Sequence, residues 1–359
     1  MIQPANTVQH IPGSAVPVLF GRGVVQLVCE HVRALGQRVI LVTDPGVERA
    51  GHAQQLAASL RAIGIELAVF SNVEPNPTTA CVDAGVAQAR QFSPDVLVAI
   101  GGGSAMDVAK GINFILTNGG TMRDYWGVGK ATKPMLPTVL IPTTAGTGSE
   151  AQSAALISDA DTHTKMACLD KKALARLAVL DPDLAVTAPR QVIAAVGIDA
   201  VAHAIESGVA NNRTPVSQQL SAEARILCEA AFARLMAGDL DAMSDMLLGA
   251  HLAGAAIENS MLGAAHACAN PLTATFGITH GVAVGVMLPH VMRFNQIAGA
   301  DAIDQLLQAA SLPRHLAPLG VTHDHIPALV AAAATQWTLR FNPRPATRDE
   351  IARLYTAAL

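Results

Sequence analysis

The residues with the clearest capacity for chemistry lie in the second half of the chain, and they are types that bind divalent metal ions. Asp199 and His203 stand four positions apart in a helical pattern, so both side chains lie on one helix face. Alone, such a pair is more often a local hydrogen bond. His266 and His280 follow downstream, and each alone is more often structural. Together, one carboxylate and three imidazoles form a candidate four-ligand site for Fe²⁺ or Zn²⁺.

A divalent cation held by these side chains would activate a hydroxyl group. It binds a substrate oxygen as a Lewis acid and lowers the pKa of the hydroxyl, as it does for water, from about 16 toward about 7. The single carboxylate only partly neutralises the cation, so net positive charge remains to stabilise an alkoxide. The four side chains therefore predict a metal centre that can activate a hydroxyl group.

A glycine-rich loop in the first half has the form that binds the pyrophosphate of a dinucleotide. An apolar run ends at Gly101, Gly102 and Gly103, and Ser104 and a helical segment follow. Glycines let the backbone approach a phosphate closely, Ser104 can cap the helix, and a helix N-terminus favours an anion. From the glycines alone, an ordinary turn between strand and helix is an equally good interpretation.

Two further segments favour a cofactor site beside this loop. Asp44 follows a predicted strand, where its carboxylate can accept hydrogen bonds from the adenosine ribose and repel a 2′-phosphate, which favours NAD over NADP. A turn residue before Pro45 is the alternative, and it is at least as good from local sequence. The segment 141–150 combines threonines and glycines after another strand. It can hydrogen-bond phosphate or ribose, although such loops also occur simply as turns.

These motifs lie on two different kinds of secondary structure. Short β-branched runs in the first half, separated by amphipathic segments, are typical of buried parallel strands and predict an α/β domain. The predicted strands are 39–42, 67–70, 96–100 and 139–141. From about Pro189 the strand pattern ends, and Ala/Leu-rich helical patterns run to the last residue. We therefore expect an α/β dinucleotide-binding domain over 1–187 and an all-helical metal-binding and substrate domain over 188–359.

The composition excludes several classes of protein. The 359 residues are 51% hydrophobic and 14% charged, as in a chain with packed cores. A net charge of -4 without a basic run argues against nucleic-acid binding. Apolar runs such as 328–334 fall short of the ~20 residues of a membrane span, and no signal-peptide pattern is found. Five scattered cysteines favour a reducing compartment. We expect a cytoplasmic protein with no nucleic-acid or membrane partner.

A series of ordered motifs resembles the iron-dependent (group III) alcohol dehydrogenases, and the resemblance covers nearly the whole chain. The matching segments are VTD (42–44), EPNPT (74–78), GGGSAMDVAK (101–110), IPTTAGTGSE (141–150), Lys165, DPDL (181–184), GIDAVAHAIES (197–207), the segment of His266, THGVAVGVMLPHVMRFN (279–295) and NPR (342–344). The resemblance implies a dehydroquinate synthase-like fold, an α/β dinucleotide-binding domain followed by an all-helical domain, with cofactor and metal meeting in the cleft.

The resemblance also implies roles for individual residues. The positions that match metal ligands are Asp199, His203, His266 and His280. Those that match cofactor contacts are Asp44, Asn76, Gly102, Gly103, Ser104, Thr143, Thr144, Thr147 and Lys165. The implied cofactors are NAD and Fe²⁺, with Zn²⁺ as the alternative metal. Relatives are often dimers or larger, so we expect a homo-oligomer such as a dimer.

Four features around the predicted centre depart from the family pattern or have no role fixed by it. Asn270 stands where many relatives carry a second histidine, and an amide can orient a substrate or cofactor but cannot act as an acid or base near neutral pH. Ile257 replaces a frequent Phe. The stretch 295–313 is shorter than usual. Glu206, one helical turn after His203, is a candidate for orienting a ligand, with an ordinary salt bridge as the alternative.

The predicted function is reversible oxidation of a small primary alcohol to its aldehyde, with hydride transfer to the nicotinamide of NAD. Two alternatives stay open. A sugar-phosphate cyclase-like lyase would use NAD and metal in an internal redox step, but no cluster of Lys or Arg lies near His266. An NAD- or metal-sensing binding protein would bind NAD without turning over alcohols. Net release of NADH discriminates among the three.

Overall fold

The chain divides into two compact units, and the computed structural model describes residues 2–162 and 164–359. The first, here called the sheet unit, comprises Met1–Thr144 and Ser149–Ala188. The second, the helical unit, comprises Ala145–Gly148 and Pro189–Leu359. Four residues in the middle of the sheet unit's sequence therefore pack with the helical unit, and no sequence pattern indicates this.

In its described residues the sheet unit contains ten strands and six α-helices. The strands are β1 (Ala5–Gln9), β2 (Val18–Phe20), β3 (Arg38–Val42), β4 (Glu66–Phe70), β5 (Val96–Gly101), β6 (Gly127–Val128), β7 (Thr138–Pro142), β8 (Ala154–Ser158), β9 (Lys165–Leu169) and β10 (Leu177–Leu180). The helices are α1 (Val28–Leu35), α2 (Pro45–Arg49), α3 (His52–Ala62), α4 (Thr79–Phe92), α5 (Gly103–Asn118) and α6 (Pro182–Ala185).

Seven of these strands form the main sheet in the order β1-β2-β10-β7-β5-β3-β4. The pairs from β2 to β4 along this order are parallel, and β1 pairs with β2 antiparallel. All six residues of β5 are buried, as a parallel strand covered on both faces requires. The four predicted strands are confirmed as β3, β4, β5 and β7, each extended by one or two residues.

The strand order of the main sheet indicates that ligands bind at the edge formed by the carboxyl ends of its strands. Strand β3 lies between β4 and β5 in the sheet. The chain adds β4 on one side of β3 and then crosses over to add β5 on the other side, so the order in which strands are added reverses at β3 and β5, while the strands stay parallel. In open parallel sheets the crevice at such a switch point, outside the carboxyl ends of the strands, is where ligands bind. The loops after β3, β4, β5 and β7 all lie at this edge.

A second, three-stranded sheet has the order β6-β9-β8. Its antiparallel pair β8 and β9 places Ser158 opposite Lys165, and Ser158 also bridges to Thr78 in the loop that precedes α4. The sequence did not predict this sheet, because β6 has two residues and β8 and β9 together contain one β-branched residue, Ile157. It brings Lys165 toward the loop that contains Asn76.

The helical unit is built from eight α-helices in the described residues 189–359, where no strand occurs. They are α7 (Arg190–Val209), α8 (Pro215–Met236), α9 (Met243–Glu258), α10 (Ala264–Phe276), α11 (His280–Phe294), α12 (Ala300–Ala309), α13 (Ile326–Ala333) and α14 (Arg348–Ala358). Helix α7 packs against α8, α9 and α11. Among the described helices it is the one long and apolar enough to cross a membrane, yet 78% of its most apolar window is buried inside the protein.

Candidate metal and cofactor sites

The four predicted metal ligands come together within the helical unit. Helix α7 carries Asp199 and His203 one turn apart, α10 carries His266 in its first turn, and α11 begins at His280. The backbones of α7 and α11 meet closely, since a Cβ on Gly281 would lie 1.9 Å from the carbonyl oxygen of Ala195. Only glycine permits this approach, which brings the first residue of α11 beside α7.

The three imidazoles surround a single oxygen of the carboxylate. Asp199 Oδ1 lies 3.3 Å from His266 Nε2, 3.6 Å from His203 Nε2 and 3.9 Å from His280 Nε2. The ligand atoms of Asp199, His266 and His280 all lie within 4.8 Å of one another. The rings of His203 and His266 stack with centroids 4.8 Å apart. All three histidines thus present the same ring nitrogen to one point.

Two of these atoms show that the donor set fits a cation. Asp199 Oδ1 and His266 Nε2 are buried and, in the part of the chain that the structure describes, have no hydrogen-bond partner. A buried polar atom left unsatisfied costs about 1 to 3 kcal/mol. A divalent ion between one carboxylate and three imidazoles satisfies both atoms, and the nitrogen and oxygen donors suit Fe²⁺ or Zn²⁺.

The charges of the cluster shift its pKa values strongly. Burial by itself would raise the pKa of Asp199, but His203, His280 and His266 hold it well below its usual range. Burial lowers the pKa of His203 despite the neighbouring Asp199. Burial would also lower the pKa of His266, but the carboxylates of Asp199 and Glu206 raise it to about 9. The cluster therefore has the electrostatics of a site that attracts positive charge.

Two of the imidazoles are fixed through their outer nitrogen. His203 Nδ1 lies 3.2 Å from the carbonyl oxygen of Gly146, and His266 Nδ1 lies 2.5 Å from Glu206 Oε2. A carbonyl and a carboxylate only accept, so in both rings Nδ1 carries a hydrogen, and in the neutral form of each ring it is Nε2 that has the lone pair for a metal. The sequence suggested Glu206 as a candidate partner and gave no signal for Gly146.

The glycine-rich loop forms the start of α5 at the binding edge of the sheet unit. Gly102 is the N-cap residue of the helix, and no side chain caps it. Its carbonyl accepts hydrogen bonds from Ala105 N and Met106 N, so the helix begins at Gly103, before Ser104. The expectation that Ser104 caps the helix is therefore wrong. A helix that begins on glycine offers its first N–H groups and its positive dipole end to an anion.

Residues of the neighbouring loops surround this helix start. A Cβ on Gly101 would lie 3.0 Å from Asp44 Oδ2, and one on Gly102 would lie 3.4 Å from Thr144 Oγ1. Asp44 also caps α2, because its Oδ1 accepts from Gly46 N and Val47 N. Asp44 is thus a turn and cap residue, as the local sequence predicts, and its second oxygen faces the glycine-rich loop; its contact with a ribose stays a prediction. Thr143 N donates to the Gly101 carbonyl, which keeps the threonine loop beside the glycines.

The other predicted cofactor positions are more dispersed. Asn76 is exposed in the loop after β4 and adopts a positive φ of 53°. Lys165 is the first residue of β9. Burial raises the pKa of Asp107, and the charges of Lys110 and Lys165 oppose that rise. Thr147 belongs to the four-residue segment that packs with the helical unit. Eight of the nine predicted cofactor residues thus lie in the sheet unit, and Thr147 does not.

Comparison with known proteins decides the family. A family model described as iron-containing alcohol dehydrogenase matches residues 15–182, and the model of the C-terminal part of that family matches residues 193–299 and 296–359. The chain belongs to the iron-containing alcohol dehydrogenase family. The two C-terminal matches meet at residues 296–299, inside the stretch that the sequence marks as short.

Individual relatives agree over almost the full length of the chain. The NAD-dependent methanol dehydrogenase of Bacillus methanolicus is 32% identical over 97% of this chain and 99% of that protein. Lactaldehyde reductase of Escherichia coli K12 is 33% identical over 94% of this chain and 97% of that protein. A crystal structure of 1,3-propanediol oxidoreductase superposes with a TM-score of 0.92 at 31% identity, over 95% of this chain and 97% of that one.

These matches confirm the resemblance and the fold class. They also confirm, at the level of the family, the expectation of a metal-dependent, NAD-linked alcohol dehydrogenase with iron as its metal.

Asn270 and Ile257, the two residues expected to depart from the family pattern, both lie in the helical unit. Asn270 lies one helical turn after His266 on α10, half-buried, and its Nδ2 donates to Gln336 Oε1 at 3.0 Å. Neither amide titrates, so this pair cannot take or give a proton near neutral pH. Ile257, the other departure, is buried in α9.

Proposed function

We propose that the protein reversibly oxidises a small primary alcohol to its aldehyde with NAD, at a metal centre formed by Asp199, His203, His266 and His280. The observation that carries this proposal is the convergence of three imidazole nitrogens on one buried carboxylate oxygen that lacks a hydrogen-bond partner. In the reaction the alcohol carbon loses a hydride to the nicotinamide and the hydroxyl loses a proton, giving aldehyde, NADH and one released proton.

The bound groups and the chain divide the work. A divalent ion would act as a Lewis acid toward the substrate hydroxyl, and NAD would accept the hydride. Asp199 supplies the single negative charge of the site. Gly146 and Glu206 keep the Nε2 lone pairs of His203 and His266 turned inward. The side chain of His280 is 25% exposed, against 4 to 7% for the other three ligands, so the alcohol enters on the His280 side.

Asn270 orients the reactants rather than moving the proton. Its Nδ2 is engaged by Gln336, which directs its carbonyl oxygen as the acceptor available to a substrate or cofactor hydroxyl. Because Asn270 does not carry the proton, the proton needs another route, which water or the hydroxyls of a bound cofactor would supply. Replacing Asn270 with Ala should lower kcat less than tenfold, the value of about one hydrogen bond, and leave the shape of the pH–rate profile unchanged.

The sheet unit binds the dinucleotide at the carboxyl ends of its strands. The uncapped start of α5 would hold the pyrophosphate, and Asp44 would accept hydrogen bonds from the adenosine ribose. Thr143, Thr144 and Thr147 supply hydroxyls, and Asn76 and Lys165 contact the cofactor from the neighbouring loop and strand. Gly102 and Gly103 admit the phosphates because they carry no side chain.

The substrate class follows from the relatives. Those described above carry the names of methanol, lactaldehyde and 1,3-propanediol, all small alcohols or aldehydes. We propose the same class here, in the cytoplasm, with neither nucleic acid nor membrane as a partner, and in a homo-oligomer such as a dimer.

The decisive experiment measures NADH produced from a panel of primary alcohols. Protein purified without oxygen is stripped with a chelator and reloaded with Fe²⁺ or Zn²⁺. We expect activity to vanish on stripping, to return on reloading, and to yield one NADH per aldehyde. Conversion of a substrate without net NADH would indicate a lyase instead. Tight NAD binding without turnover over the whole panel of alcohols and aldehydes would indicate a binding protein.

A further inference from the structure

Helix α10, which carries His266, begins without a local cap. Its N-cap residue is Gly263, and no side chain at that position satisfies the first N–H groups of the helix. Those groups are instead bonded by side chains from distant parts of the chain. Asn342 Oδ1 accepts from Ala264 N at 3.1 Å, and Glu206 Oε1 accepts from Ala265 N at 2.7 Å.

Glu206 holds both the helix start and the ligand itself. The side chain is 3% exposed, and its second oxygen accepts from the His266 backbone N at 3.4 Å and from the His266 ring Nδ1 at 2.5 Å. One buried carboxylate therefore accepts three N–H groups of α10. A negative charge at the start of a helix is also favoured by the helix dipole.

Asn342 connects the start of α10 to the end of α11. Asn342 and Asn295 exchange two side-chain hydrogen bonds, of 2.9 and 2.8 Å, and Asn295 is the C-cap residue of α11. Two residues later Arg344 donates to the carbonyl oxygen of Phe294, the last residue of α11, at 3.1 Å. The Asn-Pro-Arg motif, which the proposed chemistry does not use, thus binds the ends of both helices that carry His266 and His280.

The lack of a side chain at Gly263 belongs to the same arrangement. A Cβ there would lie 2.8 Å from Asn342 Oδ1 and 3.0 Å from Glu206 Oε1. Any other residue would push these two acceptors away from the helix start. The usual N-cap side chain is therefore replaced by two distant ones.

We propose that Glu206 and Asn342 are positioning residues that hold α10 and α11 in the register in which His266 and His280 bind the metal. The inference rests on the metal centre of the proposed function. It assigns a role to the Asn342-Pro343-Arg344 motif and makes a specific statement about Glu206: its charge and both of its oxygens are needed.

The substitution Glu206→Gln tests this statement with almost no change of shape. A glutamine has one accepting oxygen and an NH₂ group that only donates. If the oxygen faces Ala265 N, the NH₂ donates to His266 Nδ1, and the ring hydrogen moves to Nε2, the atom that faces Asp199. If the oxygen faces the ring, the NH₂ meets the Ala265 N–H. Either arrangement opposes metal binding.

The experiment measures the dissociation constant of Zn²⁺ by competition with a chromophoric chelator, on the full chain. We expect Glu206→Gln to weaken Zn²⁺ binding by about tenfold to a hundredfold, and Asn342→Ala to weaken it less, by several-fold. The matched controls are Glu229→Gln, which breaks a half-buried ion pair with Arg225 in α8, and Asn211→Ala, which removes a bond to the Arg340 carbonyl. Both should bind Zn²⁺ like the unmodified chain.

A thermal unfolding measurement separates positioning from general support of the fold. A merely structural role lowers the Tm of the metal-free and the Zn²⁺-loaded protein alike. A positioning role instead shrinks the rise in Tm that Zn²⁺ produces. NAD affinity should be the same in all variants.

The possible failures are distinguishable. If the unmodified chain binds neither Zn²⁺ nor Fe²⁺, the proposed metal centre is wrong whatever Glu206 does. If the unmodified chain binds Zn²⁺ and Glu206→Gln binds it equally well, the positioning inference is overturned. Should Glu206→Gln fail to fold, Asn342→Ala decides in the same way: unchanged Zn²⁺ affinity overturns the inference, and weakened affinity with unchanged NAD affinity supports it.

Discussion

Two buried aspartates, Asp107 in the sheet unit and Asp199 in the helical unit, have opposite character. Asp107 in α5 accepts a hydrogen bond from the Ser149 hydroxyl at 2.9 Å, and burial raises its pKa to about 6 although Lys110 opposes the shift. Asp199 has one oxygen without a hydrogen-bond partner, and three histidines hold its pKa below the usual range against the effect of burial. The first carboxylate is part of a completed hydrogen-bond network, and the second is prepared for a positive ligand.

The same contrast extends to the two proposed sites. In the sheet unit the main contacts offered to a ligand are backbone groups at the start of α5. In the helical unit they are four ionisable side chains brought together from three helices. Backbone N–H groups remain after most substitutions, whereas a single substitution can remove a ligand atom from a site formed by side chains. Substitutions in the two units should therefore differ in size and in kind.

The largest effect is expected from removing a ligand of the side-chain site. His266→Ala or His280→Ala should lower alcohol oxidation about a thousandfold or more, because Lewis-acid stabilisation is worth several kcal/mol. NAD affinity should change far less than activity, because none of the residues proposed to contact the dinucleotide is a metal ligand. Steady-state kinetics and NAD titration check both. Unchanged activity in both variants would refute the metal mechanism.

The next effect concerns Asp107, one of the buried aspartates of the sheet unit. A folded-state pKa raised to about 6 means that protonated Asp107 stabilises the fold fully below the unfolded pKa, and that this contribution is lost as pH rises through about 6. Relative to Asp107→Asn, the unmodified chain should therefore lose about 2 kcal/mol of unfolding free energy between pH 4 and pH 8.

Chemical unfolding of both proteins with a chelator present gives the comparison. Every other titrating group is common to the two proteins, so the difference isolates Asp107. A difference independent of pH would show that burial does not control this carboxylate.

A smaller effect is expected from adding a methyl group to the backbone site. In Gly102→Ala the new Cβ lies 3.4 Å from Thr144 Oγ1, an ordinary contact, so the fold should persist while NAD affinity falls about tenfold, or ~1.4 kcal/mol. In Gly101→Ala the new Cβ lies 2.6 Å from Ala105 Cβ, which should lower the unfolding free energy by about 1 to 3 kcal/mol as well. Calorimetric NAD titration and thermal unfolding separate the two. If Gly102→Ala binds NAD with unchanged affinity, the proposal that this loop binds the pyrophosphate is wrong.

The smallest effect is expected at Asp44. Asparagine caps helices as well as aspartate does, so Asp44→Asn should leave stability unchanged while removing the charge that repels a 2′-phosphate. Discrimination against NADP should fall about fivefold, corresponding to the roughly 1 kcal/mol between two charges about 4 Å apart in water. The ratio of kcat/KM for NAD and NADP measures it. An unchanged ratio would leave Asp44 as a helix cap alone.

The sequence predicted those features that depend on local pattern. Long apolar runs gave β3, β5 and their neighbours, because a parallel strand buried on both faces has no polar alternation. The second sheet was not predicted, since β6 has two residues and β8 and β9 consist mainly of Ala, Leu, Met and Cys rather than β-branched residues. Ser104 was misassigned as a cap, because the choice between Gly102 and Ser104 depends on where the strand's extended conformation ends.

The candidate metal centre was predictable only in part. Asp199 and His203 share a helix face and could be paired by spacing, whereas His266 and His280 could be added only by residue type and by the family resemblance. The partners that fix the ligands were less visible still. The sequence offered Glu206 as one candidate for orienting a ligand, and it placed Asn342 in a motif to which no role was assigned. The Gly146 contact involves a backbone carbonyl, which every residue has. Long-range contacts of this kind leave no periodic signal in a single sequence.

The segment Ala145–Gly148, which interrupts the sheet unit, limits how this protein can be divided or recombined. A fragment beginning at Pro189 would retain all four ligands but lose the carbonyl that holds His203. It would also lose the close fit of Gly148 to α9, where a Cβ on Gly254 would lie 2.3 Å from the Gly148 carbonyl oxygen. A chimaera that takes its helical unit from a relative should therefore fold well only when residues 145–148 are taken from the same relative.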